Sequence, residues 1–238
     1  MNAEELLRRY EAEERYFPGI DLSGEDLREA NLVDANLSGA NFSHADLREA
    51  RLGHTNLSNA NFNTANLSEI ILWGANLTGA NLCQAELREA DLSGANLTKA
   101  NLEATKLAKA CLCGCDFSYA NLSNAMLFAA NFRPTSHQLT DLRYAILSGA
   151  DLCYANLSGA LLYRANLDGA KLCRAIVGDW GSDKSHHTDL SEASLQNADL
   201  SYADLSGVNL QGANLLGADL TRTILTNTNL QGAIMPDG

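Results

Sequence analysis

Six cysteines, five histidines and 29 acidic side chains are the groups in this 238-residue chain that could hold a metal or make and break bonds. Cys111, Cys113 and Cys115 form a C-x-C-x-C run, but the repeat described below turns Cys115 inward and leaves the other two outward, so the three cannot converge on one ion. His186 and His187 lie beside Asp183 and Asp189, yet adjacent histidines lack the i, i+4 or longer spacing of usual zinc sites. Solvated loop residues are the expectation there. An enzyme would need a nucleophile next to a base, or two carboxylates across a cleft, and neither stands out; no glycine loop for a phosphate is visible either. The sequence therefore predicts no catalysis, no cofactor and no metal, and function is to be sought in a surface.

What positions these groups is a repeat. A Leu or Phe recurs at every fifth residue from Leu22 to Phe132, then from Leu142 to Leu172 and from Leu190 to Leu230, with Ala usually two residues before it. We call the large residue the centre. In an α-helix a step of five residues turns about 140° net, so the centres would form no stripe. In a continuous strand an odd period would send successive centres to opposite faces. The remaining solution is a corner every five residues. Ala and Leu then share the inner side of a short extended segment, and the Ser-Gly, Arg-Glu or Thr-Gly pairs that follow supply the turn.

Four segments per coil make a 20-residue super-period, and Leu-Arg-Glu-Ala at 27–30, 47–50 and 87–90 displays it. Glu29, Glu49, Glu69 and Glu89 fall in one column, about 4.8 Å apart, with Arg28, Arg48 and Arg88 predicted to relieve their repulsion. Five of the six Phe occupy centres and are predicted core. Cys153 and Cys173 share an outward column within disulfide reach, although a reducing cytoplasm argues for free thiols.

An open solenoid end needs a cap. Asn2 with Glu5 reads as a capping box, and Leu6, Leu7 and Tyr10 lie on one face of a short helix, leaving a frayed tail as the alternative. Residues 1–16 are thus predicted as a helical cap and 17–238 as the solenoid. At the other end Ile234, Met235, Pro236 and Asp237 look like a stop. Two stretches interrupt the pattern. Residues 133–140 keep the spacing but put His137 where a Leu belongs, and 176–187 shift the register; the second is a tolerated insertion or a functional loop. The net charge of −12 disfavours direct nucleic-acid or anionic-membrane binding. No run approaches the ~20 apolar residues of a spanning helix and no secretory leader is evident, so a cytoplasmic protein is expected.

The Ala-(Asn/Asp)-Leu-x-x motif over almost the whole chain resembles the pentapeptide-repeat family. The resemblance implies an all-β fold, a right-handed quadrilateral β-helix, here with a short N-terminal capping helix. Within the family, residues 71–77, 168–175 and 230–238 are similar to a cyanobacterial regulator of heterocyst differentiation. That implies a protein partner, a HetR-like transcription regulator whose response to inhibitory peptide would be modulated, and a monomeric binder. The competing reading within the family is a DNA mimic that occupies a type II topoisomerase, gyrase. Net charge favours it; its distribution does not, because residues 133–174 carry Arg133, Arg143, Arg164, Lys171 and Arg174 against Asp141, Asp151 and Asp168.

The outward positions are mostly small and polar, and one cluster departs from that. Arg143 and Tyr144 follow Leu142, and Tyr163 and Arg164 follow Leu162 one coil later. Arg and Tyr are enriched among binding hot spots. This cluster, widened by Tyr119, Phe128 and Arg133, is the predicted partner-binding surface, with a chance grouping of exposed side chains as the alternative.

Overall fold

A computed structural model describes residues 1–178 and 187–238. Parallel bridges join the residue before each centre to the one 20 positions on, as in Asn36 to Asn56, Asn41 to Asn61, Asp46 to Asn66 and Arg51 to Ile71. Four such pairings per 20 residues make each coil four short extended segments separated by four turns, and the whole a parallel β-helix. Each turn closes by a hydrogen bond from the Ala-position amide to the carbonyl of the centre, 3.1 Å for Ala50 to Leu47. The residue two after the centre takes a left-handed conformation, with φ of 58° at Glu29, 59° at Lys99 and 60° at Tyr144. That conformation costs a non-glycine residue about 1–2 kcal/mol, which explains why glycine is frequent there. Because it recurs in nearly every turn, it belongs to the repeat and marks no active site.

The Asn or Asp before each centre has a local reason. Its Oδ1 accepts the amide two residues on, as Asn41 does from Ser43 at 3.1 Å and Asn121 from Ser123 at 3.1 Å, an Asx turn that sets the corner. On one side of the solenoid the amides also pair from coil to coil: Asn41 Nδ2 donates to Asp21, Asn61 to Asn41 and Asn81 to Asn61 at 2.9–3.0 Å.

Inside, the centres and the Ala sites form one continuous core, and Phe17, Phe42, Phe62, Phe117 and Phe132 are fully buried. The sixth, Phe128, is exposed. Ala95 is fully buried and Lys99 exposed. Ala95→Leu is expected to overpack the column and cost about 1–3 kcal/mol, against under about 0.5 kcal/mol for Lys99→Leu. Equal losses in a denaturant titration would refute the inward register.

Both predicted interruptions differ from expectation. The pairs Asp116–Asp141, Asn121–Ile146, Met126–Asp151 and Asn131–Asn156 are 25 residues apart, so 133–140 carry five extra residues in one coil. His137 keeps the spacing but is exposed in the resulting loop and occupies no centre. Further on, Ile176 remains bridged to Asn156 and Asp204, and Val177 is buried, so the coil persists beyond the predicted break at 176. It resumes at Asp189, which pairs with Leu161 across 28 residues. Trp180, Asp183 and His186 lie outside the described residues.

A buried threonine closes the coil after each insertion. Thr140 Oγ1 accepts the Gly114 amide at 2.8 Å, and Thr188 Oγ1 accepts the Gly159 amide at 2.8 Å while donating to the Val177 carbonyl at 2.6 Å. The Gly114 amide also keeps the usual bond to the next coil's turn, donating to the Arg133 carbonyl at 3.1 Å.

Helix α1 (Ala3–Glu11) covers the first coils. Leu6 is fully buried, Tyr10 donates its hydroxyl to the Val33 carbonyl at 2.9 Å, and the Ala3 amide reaches Glu25 at 3.0 Å. Half of the predicted capping box forms: Asn2 accepts the Glu5 amide, whereas the Glu5 carboxylate pairs with Arg8. At the far end Ile234 still bridges Asn214 and the Pro236 carbonyl accepts the Gly217 amide, so Pro236 sits within the last coil. Leu220, Leu225, Leu230 and Met235 on that coil are only partly buried. No helix among the described residues is long and apolar enough to cross a membrane.

Two side-chain expectations need correction. Arg28 and Arg48 bind Asp26 and Asp46 at 2.6 Å rather than the glutamate column, because an arginine one residue after the centre folds back over the Asp one residue before it. Cys153 and Cys173, predicted free, are joined in a disulfide with Cα atoms 4.6 Å apart; in-register stacking of coils brings the two turns side by side.

A tyrosine and arginine patch as the candidate partner-binding surface

The patch arises from three successive turns stacked in register. The Tyr119 amide donates to the Arg143 carbonyl and the Tyr144 amide to the Tyr163 carbonyl, both at 3.1 Å. The extra five residues at 133–140 are absorbed within the coil between Tyr119 and Tyr144, so the column survives the insertion. Tyr119 and Tyr144 occupy the same turn position and stack with centroids 4.9 Å apart and rings 2° from parallel; Tyr163 meets Tyr144 edge-on at 5.7 Å. Tyr119 remains 56% exposed and Tyr144 36%, an outward aromatic step large enough to anchor a partner.

The arginines are neutralised locally. Arg143 forms a bidentate pair with Asp141, at 2.5 Å for its closest contact, and Arg164 lies 2.7 Å from Glu192 on the next coil. The Arg164 guanidinium also sits 5.1 Å from the Tyr163 ring centre, and the Tyr163 hydroxyl donates to Glu192 at 3.4 Å. Desolvation holds the Tyr163 phenol above its ordinary pKa, so it is a neutral hydrogen-bonding group near pH 7. The surface is thus an aromatic platform fringed by ion pairs, suited to recognition through contact area and hydrogen bonds.

Not every predicted member joins it. Tyr119, Arg143, Tyr144, Tyr163 and Arg164 are brought together. Phe128 lies two segments further round the coil, packed against Tyr154 at 5.4 Å. Arg133 lies a segment beyond that, its Nε donating to Asn131 at 3.1 Å. Five residues per segment separate them laterally, so closeness in sequence does not become closeness in space.

Phe128 instead begins a second ladder that the sequence reading missed. Arg174 lies 5.8 Å from the Tyr154 ring and 5.3 Å from Tyr202, and Arg222 lies 5.5 Å from Tyr202 on its far side. The signal was a Tyr or Arg two residues after successive centres. The 28-residue offset between Arg174 and Tyr202 hid it from a 20-residue comb. Among the described residues no group of three His, Cys, Asp or Glu side chains is placed to hold a metal.

Comparison with known proteins gives three results. The family model for pentapeptide repeats matches in eight copies, over residues 26–63, 65–103, 95–133, 140–177, 186–212 and 203–237. Among solved structures, the chain is similar to HetL, a pentapeptide repeat protein involved in heterocyst differentiation regulation from the cyanobacterium Nostoc sp. strain PCC 7120. The two share 53% identity with a TM-score of 0.90, over 100% of this chain and 98% of that one. Similarity to QnrB1, a plasmid-mediated fluoroquinolone resistance protein, is far weaker, with 16% identity and a TM-score of 0.38 over 93% of this chain and 94% of that one. No curated protein matches. The first two results identify the parallel coil as a right-handed β-helix.

Proposed function

The chain belongs to the pentapeptide-repeat family, and from that premise we propose that it is a non-catalytic, protein-binding scaffold that regulates heterocyst differentiation. The observation that carries this reading is the 53% identity to HetL along the whole chain. We read its four segments per coil as the sides of a quadrilateral rod, acting as a monomer. The partner is a HetR-like transcription regulator whose response to inhibitory peptide is modulated. It docks on the platform of Tyr119, Tyr144 and Tyr163 with Arg143 and Arg164 at its edge.

Rigidity suits this role. A platform whose backbone is pinned on both sides by neighbouring coils loses little entropy on binding, and tyrosines combine large contact area with few rotatable bonds. The DNA-mimic alternative rests on the net charge of −12, but the aromatic platform and its paired arginines interrupt any continuous negative potential. Addition of the protein is expected to leave gyrase supercoiling unchanged.

The test is titration calorimetry of the purified protein with the HetR-like regulator. The double variant Arg143→Ala, Tyr163→Ala is expected to bind at least about tenfold more weakly, a loss of about 1.4 kcal/mol, with its melting temperature preserved because neither side chain is core. Unchanged affinity would remove the docking site from this face and direct attention to the Tyr154–Arg174–Tyr202 ladder. No measurable binding by the unaltered protein would refute the choice of partner.

A further inference from the structure

Four cysteines lie outside the disulfide, and they differ sharply in setting. Cys115 is fully buried and donates to the Leu92 carbonyl at 2.9 Å; burial pushes its thiol up and makes it inert. Cys83 is half-buried and is also pushed up by burial. Cys111 and Cys113 flank the centre Leu112 on the outer side of one segment, both half-buried, with their sulfurs 3.4 Å apart.

The surroundings of this pair are polar and ordered. Asp91 is bridged to Cys111 on the preceding coil. Its Oδ1 accepts the Ser93 hydroxyl at 2.6 Å, and Ser93 Oγ lies 3.1 Å from Cys111 Sγ. With the serine proton committed to Asp91, a proton leaving Cys111 has a path through Ser93 towards a carboxylate. On the other side Cys113 Sγ lies 3.7 Å from the Asn131 carbonyl, and Arg133 adds positive potential.

We propose that Cys111 and Cys113 form a thiol–disulfide exchange site for low-molecular-weight disulfides, in which Cys111 attacks and Cys113 resolves. The Cys111 thiolate attacks one sulfur of the disulfide; a mixed disulfide forms and the first thiolate leaves, taking up a proton. Cys113 then gives up its proton and attacks the Cys111 sulfur, forming the intrachain disulfide and releasing the second thiol. Two electrons pass from the protein dithiol to the small disulfide, giving two small thiols. The division of labour follows from the outer contacts: Ser93, bound to Asp91, gives Cys111 a proton path that Cys113, which faces the Asn131 carbonyl, lacks. The contact between the two sulfurs also holds the Cys111 thiol below its ordinary range and the Cys113 thiol above it until Cys111 has been capped. Thiolate population governs attack, tempered by lower intrinsic nucleophilicity at low pKa. Closing the bond requires the sulfurs to approach from 3.4 Å to about 2.05 Å. This site does not depend on which partner the aromatic platform binds.

The test is incubation of the full chain with oxidised glutathione at pH 7, followed by alkylation of remaining thiols and mass mapping. The expected product is an intrachain Cys111–Cys113 disulfide, formed at least about tenfold faster than Cys83 acquires glutathione. In Cys113→Ser the Cys111–glutathione adduct should accumulate instead, since nothing resolves it. If Cys111 reacts no faster than Cys83, or if Cys113→Ser loses reactivity without accumulating the adduct, the proposal is overturned.

Discussion

Phe62→Ala is expected to cost about 3–5 kcal/mol, while Tyr119→Ala costs less than about 1 kcal/mol, although the two rings make nearly the same contact. Phe42 and Phe62 stack with centroids 4.9 Å apart and rings 3° from parallel, and Tyr119 and Tyr144 stack at 4.9 Å and 2°. The difference is the side of the coil. Phe62 is wholly inside, where truncation removes apolar burial and leaves a cavity that stacked, hydrogen-bonded coils cannot close. Tyr119 is 56% exposed, so water refills the space. The measurement is the guanidinium midpoint of each variant, with the slope checked because repeat arrays can lose all-or-none unfolding. Comparable losses would show that stacking itself, rather than burial, governs stability.

Thr188→Val is expected to cost about 2–3 kcal/mol, and Thr105→Val less than about 1 kcal/mol. Both threonines stand fully buried at Ala positions. The Thr105 hydroxyl donates to the Leu82 carbonyl at 2.8 Å, but that carbonyl already accepts the Ala85 amide at 3.0 Å. Removing the hydroxyl therefore orphans nothing. Thr188 links the Gly159 amide to the Val177 carbonyl across the break, and among the described residues valine leaves the buried Gly159 amide without an acceptor and takes a donor from the Val177 carbonyl, at about 1–3 kcal/mol for an unpaired group. Equal costs for the two substitutions would mean that Thr188 serves only to fill volume.

Much of the architecture was legible because it is decided within five residues. The inward position of Leu and Ala, the outward Asn or Asp with its Asx turn, and the burial of five phenylalanines follow from steric and hydrogen-bonding rules that each segment obeys independently of its neighbours. The cap was legible for the same reason: Asn2 accepts the Glu5 amide whatever lies beyond the helix. Tyr144 and Tyr163 could be placed together because an ordinary coil separates them, whereas Tyr119 joins them only through the 25-residue coil. His137 misled because its spacing was local and correct, while the count of residues around its coil was not 20.

The sequence by itself determined the period, the side to which each residue points and the membership of the family. Tertiary structure alone decided which turns become neighbours, since that depends on the running total of residues per coil. Coils of 25 and 28 residues keep the columns aligned in space but shift every later residue off the 20-residue count. They set Tyr144 on Tyr119, bring Arg174 against Tyr202, and set Thr188 opposite Gly159. Direction along a segment is a property of the backbone, but contact between coils is a property of closure, and closure is settled only when the whole chain has wound.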